Sequence, residues 1–202
     1  MMAVPLMDEA LKAELRALYR RADRHYHGLG HIDELLRLAG DHRAALADPE
    51  AVEAAIWFHD AIYDSRRNDN EEKSAALAAD RLADRTDAQR LRRITDMIEA
   101  TARHVVPDIA DEAARGDAAL FLDMDLAILG AQAEIFDAYE RAIRLEYAWV
   151  DDTAWRAGRG AVLRSFLSRP RIFHTELFRQ SHEARARDNL SRSLAALAIR
   201  EA

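Results

Sequence analysis

Apolar residues recur along this chain at spacings of three and four, and almost nowhere in strict alternation. That period predicts amphipathic helices and no strands. Over residues 8 to about 21, Leu11, Leu15, Leu18 and Tyr19 make one stripe, with Asp8 and Glu9 at the positive end. A helix over about 31–46 carries His31, Leu35 and Leu38 on one face. Asp48-Pro49 is a cap followed by a first-turn proline. The helix it starts has Val52, Ala55, Ile56, His59, Ile62 and Tyr63 on a single apolar face. Residues 64–70 are polar, with Ser65, Asn68 and Asn70 as turn formers. A helix over 71 to about 82 follows. Another starts at Thr86 or Asp87 and aligns Leu91, Ile94, Ile98, Thr101 and Val105. After a polar break at 107–116, the segment 117–129 puts Ala118, Phe121, Leu122, Asp125, Ile128 and Leu129 on one face, and Gly130 ends it. Helices over 131–150, near 161–167 and after about 183 complete the expected set.

Composition agrees with that pattern. Half of the 202 residues are hydrophobic, and there are only 7 Gly and 4 Pro. The expected fold is therefore all-α, a single-domain helical bundle over 1–202, since the length suits one domain with a real core. A net charge of −7 argues against broad electrostatic binding of a nucleic acid polymer. The absence of cysteine excludes disulfides, thiolate metal sites and cysteine nucleophiles. Residues 1–19 lack a signal-peptide core and no apolar run is long enough to span a bilayer, so a cytoplasmic protein with no membrane partner is expected.

Four polar residues interrupt the apolar faces. His59 shares the face of Val52 and Ile56, and Asp60 is about 100° further round the same helix. His31 shares a face with Leu35 and Leu38, and Asp125 one with Phe121 and Leu122. Buried imidazoles and carboxylates are costly without partners. One divalent cation satisfies both kinds at once, because it takes neutral imidazole and ionised carboxylate together. A set of two nitrogens and two oxygens suits Mn, Fe, Co, Ni, Mg or Zn, with positions left for water, whose pKa the ion lowers. Upstream, the nine residues from Arg24 to Ile32 hold three histidines and two glycines, which predicts a turn through Gly28 and Gly30.

The order His…His-Asp…Asp resembles the HD superfamily of metal-dependent phosphohydrolases. The likeness runs through Tyr26-His27-Gly28-Leu29-Gly30-His31-Ile32, then Trp57-Phe58-His59-Asp60-Ala61-Ile62-Tyr63-Asp64 and Asn70-Glu71-Glu72-Lys73-Ser74-Ala75. It continues through Thr101-Ala102-Arg103-His104, Leu122-Asp123-Met124-Asp125-Leu126 and Arg144-Leu145-Glu146-Tyr147-Ala148. The chain is most similar to a group of small bacterial proteins described as predicted HD-superfamily phosphohydrolases. The resemblance implies a bundle of the HD/phosphodiesterase type, with a metal-site core over about 24–150 and a helical extension over about 151–202.

It also implies roles. His31, His59, Asp60 and Asp125 would ligate one divalent metal. The Tyr26-His27…His31-Ile32 segment is similar to cyclic-nucleotide phosphodiesterases, which implies His27 as general acid. Gly28 stands where those enzymes have asparagine, and their further histidine after the His-Asp pair is missing, so cyclic-nucleotide specificity is not implied. Asp64 and Glu71 are the carboxylates available to position water. His104 would meet a substrate phosphate or a second metal, and Arg103 and Arg144 are phosphate-binding candidates. The expected function is metal-dependent hydrolysis of a phosphorylated small molecule, first of all a nucleotide. Two alternatives stay open: a non-catalytic nucleotide- or partner-binding module with a structural metal, and a di-iron oxygenase, which needs more histidines than the single one between Asp60 and Asp125. A homodimer also stays open.

Overall fold

The computed structural model describes residues 5–199, and among these are nine α-helices and no strand. They form two compact units that divide between Asp125 and Leu126.

The first unit contains α1 (Glu9–Tyr19), α2 (Leu29–Asp41), α3 (Pro49–Phe58), α4 (Asn70–Leu82), α5 (Ala88–Ala100) and α6 (Glu112–Asp125). Helix α3 is its centre and packs against α1, α2, α4, α5 and α6. Its sequence dictates this place. Ala51, Val52 and every residue from Ala54 to Phe58 are buried, so most of the helix surface is apolar and needs neighbours, with Glu50 and Glu53 left toward solvent. The small side chains of Ala51, Ala54 and Ala55 let those neighbours approach. Around it, α1 contributes Leu11, Leu15 and Tyr19, α2 contributes Ile32, Leu35 and Leu38, and α6 contributes Ala118, Phe121 and Leu122.

Aspartates start several helices by accepting from first-turn amides. Asp8 takes Leu11 N at 2.8 Å, Asp48 takes Ala51 N at 3.1 Å, and Asp87 takes both Gln89 N and Arg90 N at 2.9 Å. Asp48 also meets Arg90 of α5, whose Nε lies 2.6 Å from Oδ2. Before α3, the amides of Ala47 and Asp48 donate to the buried carboxylate of Asp117 on α6, each at 2.8 Å.

Several boundaries differ from those the periodicity predicts. Helix α2 stops at Asp41 and tightens into a 3-10 turn at Arg43–Ala45 instead of running to 46. Helix α3 stops at Phe58, so Asp60, Ile62 and Tyr63 lie beyond it. Helix α5 stops at Ala100, which leaves Val105 exposed where the stripe would have buried it. Helix α6 begins at Glu112, through the expected polar break, because Asp111 Oδ1 accepts from the amides of Ala113 and Ala114 and Gly116 is accommodated inside the helix.

The second unit contains a 3-10 turn at Leu126–Gly130, α7 (Ala133–Glu146), α8 (Asp152–Leu167) and α9 (Glu176–Ile199). Helix α9 packs on the 126–130 turn and on α8. At Gly130 the approach is so close that a Cβ would lie 2.6 Å from Cβ of His182 and 2.8 Å from its carbonyl oxygen. Asn189 fixes the same turn by donating to the carbonyls of Leu129 and Ala131 at 2.9 and 3.0 Å. Helix α8 is much longer than the predicted 161–167, since Asp151 caps it ten residues earlier by accepting from Ala154 N at 2.9 Å. Helix α9 likewise starts at Glu176, ahead of the predicted 183. No helix among the described residues is long and apolar enough to cross a membrane.

Candidate metal centre

Three helices of the first unit deliver the site. His31 comes from the first turn of α2, His59 follows the last residue of α3, and Asp125 ends α6. His31 and His59 are buried, and Asp125 is nearly so. One donor atom from each of the three falls within 4.8 Å of the other two. His31 Nε2 lies 3.2 Å from His59 Nε2 and 3.1 Å from Asp125 Oδ1, and His59 Nε2 lies 3.7 Å from that oxygen. Asp60 joins through Oδ2, 3.1 Å from His59 Nε2 and 3.8 Å from His31 Nε2. Two donors about 2.1 Å from one ion and about 90° apart lie about 3.0 Å from each other, so these separations match ligands of a common centre.

The chemistry of His59 gives an independent test of fit. Its Nδ1 faces the carbonyl of Ile56 at 2.9 Å and must donate to it. In the neutral ring the lone pair is then on Nε2, aimed at the oxygens of Asp60 and Asp125. Lone pairs do not stabilise one another; a cation has to stand between them, as a proton or a metal ion. Without metal the proton serves. Burial works to strip it from His59, but the carboxylates of Asp60 and Asp125 outweigh burial and hold the pKa at about 9. Burial likewise works to protonate Asp60, and the imidazoles of His59, His27 and His31 outweigh it, holding the carboxyl well below its usual range. Asp125 is held down against burial by hydrogen bonds from His104 and His31. The donor set of His31, His59 and Asp125 could thus hold a divalent cation, with Asp60 Oδ2 beside it.

Although α3 ends at Phe58, His59 keeps helical angles and donates its amide to Ala55 O at 2.9 Å. The helical phase that turns His59 inward therefore survives. Asp60 turns toward the same point because the backbone tightens there, with Ala61 N donating to Phe58 O at 2.9 Å. The residue that fixes this turn is Arg24, which motif reasoning passed over. Its guanidinium is buried and donates to the carbonyls of His27 at 3.0 Å, Asp60 at 2.6 Å and Ala61 at 2.9 Å. It lies over the rings of Tyr19 and Tyr63, at 5.0 and 5.5 Å. Arg24 thereby ties the His27 segment to the turn that follows His59. Only its neighbourhood of histidines and glycines marked the stretch; its three acceptors at positions 27, 60 and 61 have no periodic signature.

The remaining candidates separate by location. His27 stacks on Tyr63 with ring centroids 4.3 Å apart and lies beside the ligands, 6.2 Å from the His31 ring. His104 reaches the centre through Asp125, with Nε2 2.8 Å from Oδ2. Asp64 Oδ1 accepts from Arg66 N at 2.9 Å, and Asn70 brackets the Asp64 backbone by accepting from its amide and donating to its carbonyl. Glu71 is half-buried in the first turn of α4, and Arg103 is exposed just beyond α5. Arg144 belongs to the second unit, where it donates to the carbonyls of Tyr147 and Val150 and to Asp152 at 2.7, 3.1 and 2.8 Å. Asp123, two residues before Asp125 on α6, is fully buried.

No family model, no curated protein and no solved structure matches the chain.

Proposed function

We propose that this chain is an HD-type metal-dependent phosphohydrolase whose substrate is a phosphorylated small molecule, a nucleotide first of all. The observation that carries the reading is the convergence of His31, His59 and Asp125, with Asp60 beside them, from positions that follow the order of that superfamily. A divalent cation held by these residues would lower the pKa of water and withdraw charge from phosphate.

The chain's own side chains supply the rest. His27, half-exposed and oriented by its stack on Tyr63, gives a proton to the leaving oxygen as the phosphorus–oxygen bond breaks. Water forms the new bond to phosphorus, and Asp64 or Glu71 takes its proton. Arg103, at the exposed end of α5, binds phosphate oxygens. Arg144 has no part in this scheme, since its guanidinium is spent on its own unit.

The test is a screen of phosphomonoesters and phosphodiesters with purified protein and Mn or Co. Turnover that disappears in Asp60→Ala supports the reading. Equal turnover in that variant contradicts the mechanism. Tight nucleotide binding with no turnover under any metal would favour a non-catalytic binding module instead.

A further inference from the structure

Asp125 has two oxygens with separate tasks. Oδ1 faces the histidine pair, 3.1 Å from His31 Nε2 and 3.7 Å from His59 Nε2. Oδ2 faces away from them onto His104 Nε2, at 2.8 Å. A carboxylate accepts, so His104 donates, and its Nε2 carries the proton. His104 is also the only non-glycine with positive φ among the described residues, at 48°. Its amide closes the end of α5 by donating to Ala100 O at 2.8 Å. Such a left-handed closure is the ordinary place of glycine or asparagine. A histidine there is conformationally costly, and backbone of this kind persists where the surroundings require it.

We propose that His104 is a positioning residue for the metal centre: by holding Oδ2 of Asp125 it leaves Oδ1 alone to face His31 and His59. This rests on the reading of the cluster as a metal site. It differs from a role for His104 as a ligand of a second ion or as a phosphate contact in that Nε2 serves Asp125. The partner of a ligating group tunes affinity without touching the ion, and losing one costs about 10- to 100-fold in metal binding. The left-handed backbone makes the role separable from folding. Glycine at 104 removes the imidazole and at the same time relieves the backbone.

The experiment compares wild type, His104→Gly and His104→Gln, each stripped with chelator. Calorimetric titration with Mn and Zn gives affinity and stoichiometry, and thermal melts of the stripped proteins give stability. The inference predicts that His104→Gly still melts cooperatively when stripped of metal, yet binds metal about 10- to 100-fold more weakly than wild type. His104→Gln, which keeps an N–H of similar reach, should recover most of that affinity. Unchanged affinity in His104→Gly overturns the positioning role while leaving the metal site standing. Two ions in wild type and one in His104→Gly also overturn it, by making His104 a ligand. A wild type that binds no ion removes the metal reading itself, and the inference with it.

Discussion

His31 and His59 are 28 positions apart in the chain, yet their Nε2 atoms approach to 3.2 Å in the interior of the first unit. Carboxylate oxygens of Asp125 and Asp60 lie beside them, at 3.1 Å from His31 Nε2 and 3.1 Å from His59 Nε2, an arrangement of donors that a shared cation would satisfy. Each ring is brought there by a different helix, α2 or the end of α3, and both helices are held by apolar packing that owes nothing to the site. The centre is therefore largely preformed by the fold.

Preformation makes metal binding a stabilising event. At a free concentration a hundred times its Kd, a ligand specific for the native state adds about 2.7 kcal/mol. For a chain of this size that is a rise of about 5–10 °C in melting temperature. A differential scanning fluorimetry series with Mn, Co and Zn should show it, and chelator should reverse it.

The pH dependence follows from His59. In the metal-free protein its pKa is raised to about 9, and the ion needs the lone pair that the proton occupies. Acidification therefore weakens binding. Between about pH 7 and pH 9 apparent affinity should rise about tenfold per unit and then level off, with one proton released per ion bound. Titrations in buffers of different ionisation enthalpy count that proton. The same raised value sets the stability of the metal-free fold. The protonated ring contributes fully below its unfolded pKa of about 6.5, and the contribution is lost as pH rises through about 9.

Arg24 should be among the most sensitive positions in the first unit. Arg24→Met keeps much of the aliphatic stem but leaves the carbonyls of His27, Asp60 and Ala61 without their donor. Denaturant unfolding should show a loss of about 3 kcal/mol or more. Arg24→Lys should recover little of it, since an ammonium lacks the planar fork that meets three oxygens together.

Gly130→Ala probes the second unit. The added methyl meets both the side chain and the backbone of His182, so relief requires movement of α9 itself. A loss of about 1–3 kcal/mol is expected in unfolding experiments. The candidate metal ligands His31, His59 and Asp125 all lie in the first unit, so metal stoichiometry should stay the same.

What could be seen in advance depended on how many residues repeat a signal. The α3 stripe is legible because nearly every position from Ala51 to Phe58 is apolar, and that stripe fixes the direction of His59 even though the helix ends one residue before it. His31 and Asp125 were legible for the same reason, each being a polar residue in register with apolar neighbours, Leu35 and Leu38 for His31 and Phe121 and Leu122 for Asp125. Arg24 was not, because its partners are backbone carbonyls of residues distant in sequence, and carbonyls leave no trace in side-chain pattern. The bond from His104 to Asp125 was hidden by an error of one turn: continuing the α5 stripe to Val105 leaves no place for the left-handed residue that turns the imidazole toward α6. In α8, Gly158 and Gly160 depress helix propensity, and tertiary contacts override it, with the buried Arg159 paired to Glu140 and donating to Tyr139 Oη at 3.0 Å.

The claim on which the account rests is that these histidines and aspartates take up one divalent cation. Equilibrium dialysis of chelator-stripped protein against Mn or Zn, with bound metal counted by mass spectrometry, addresses it most directly. The account predicts one ion per chain in the wild type and none retained in His59→Ala at the same free concentration; a wild type that retains no more metal than that variant would contradict it.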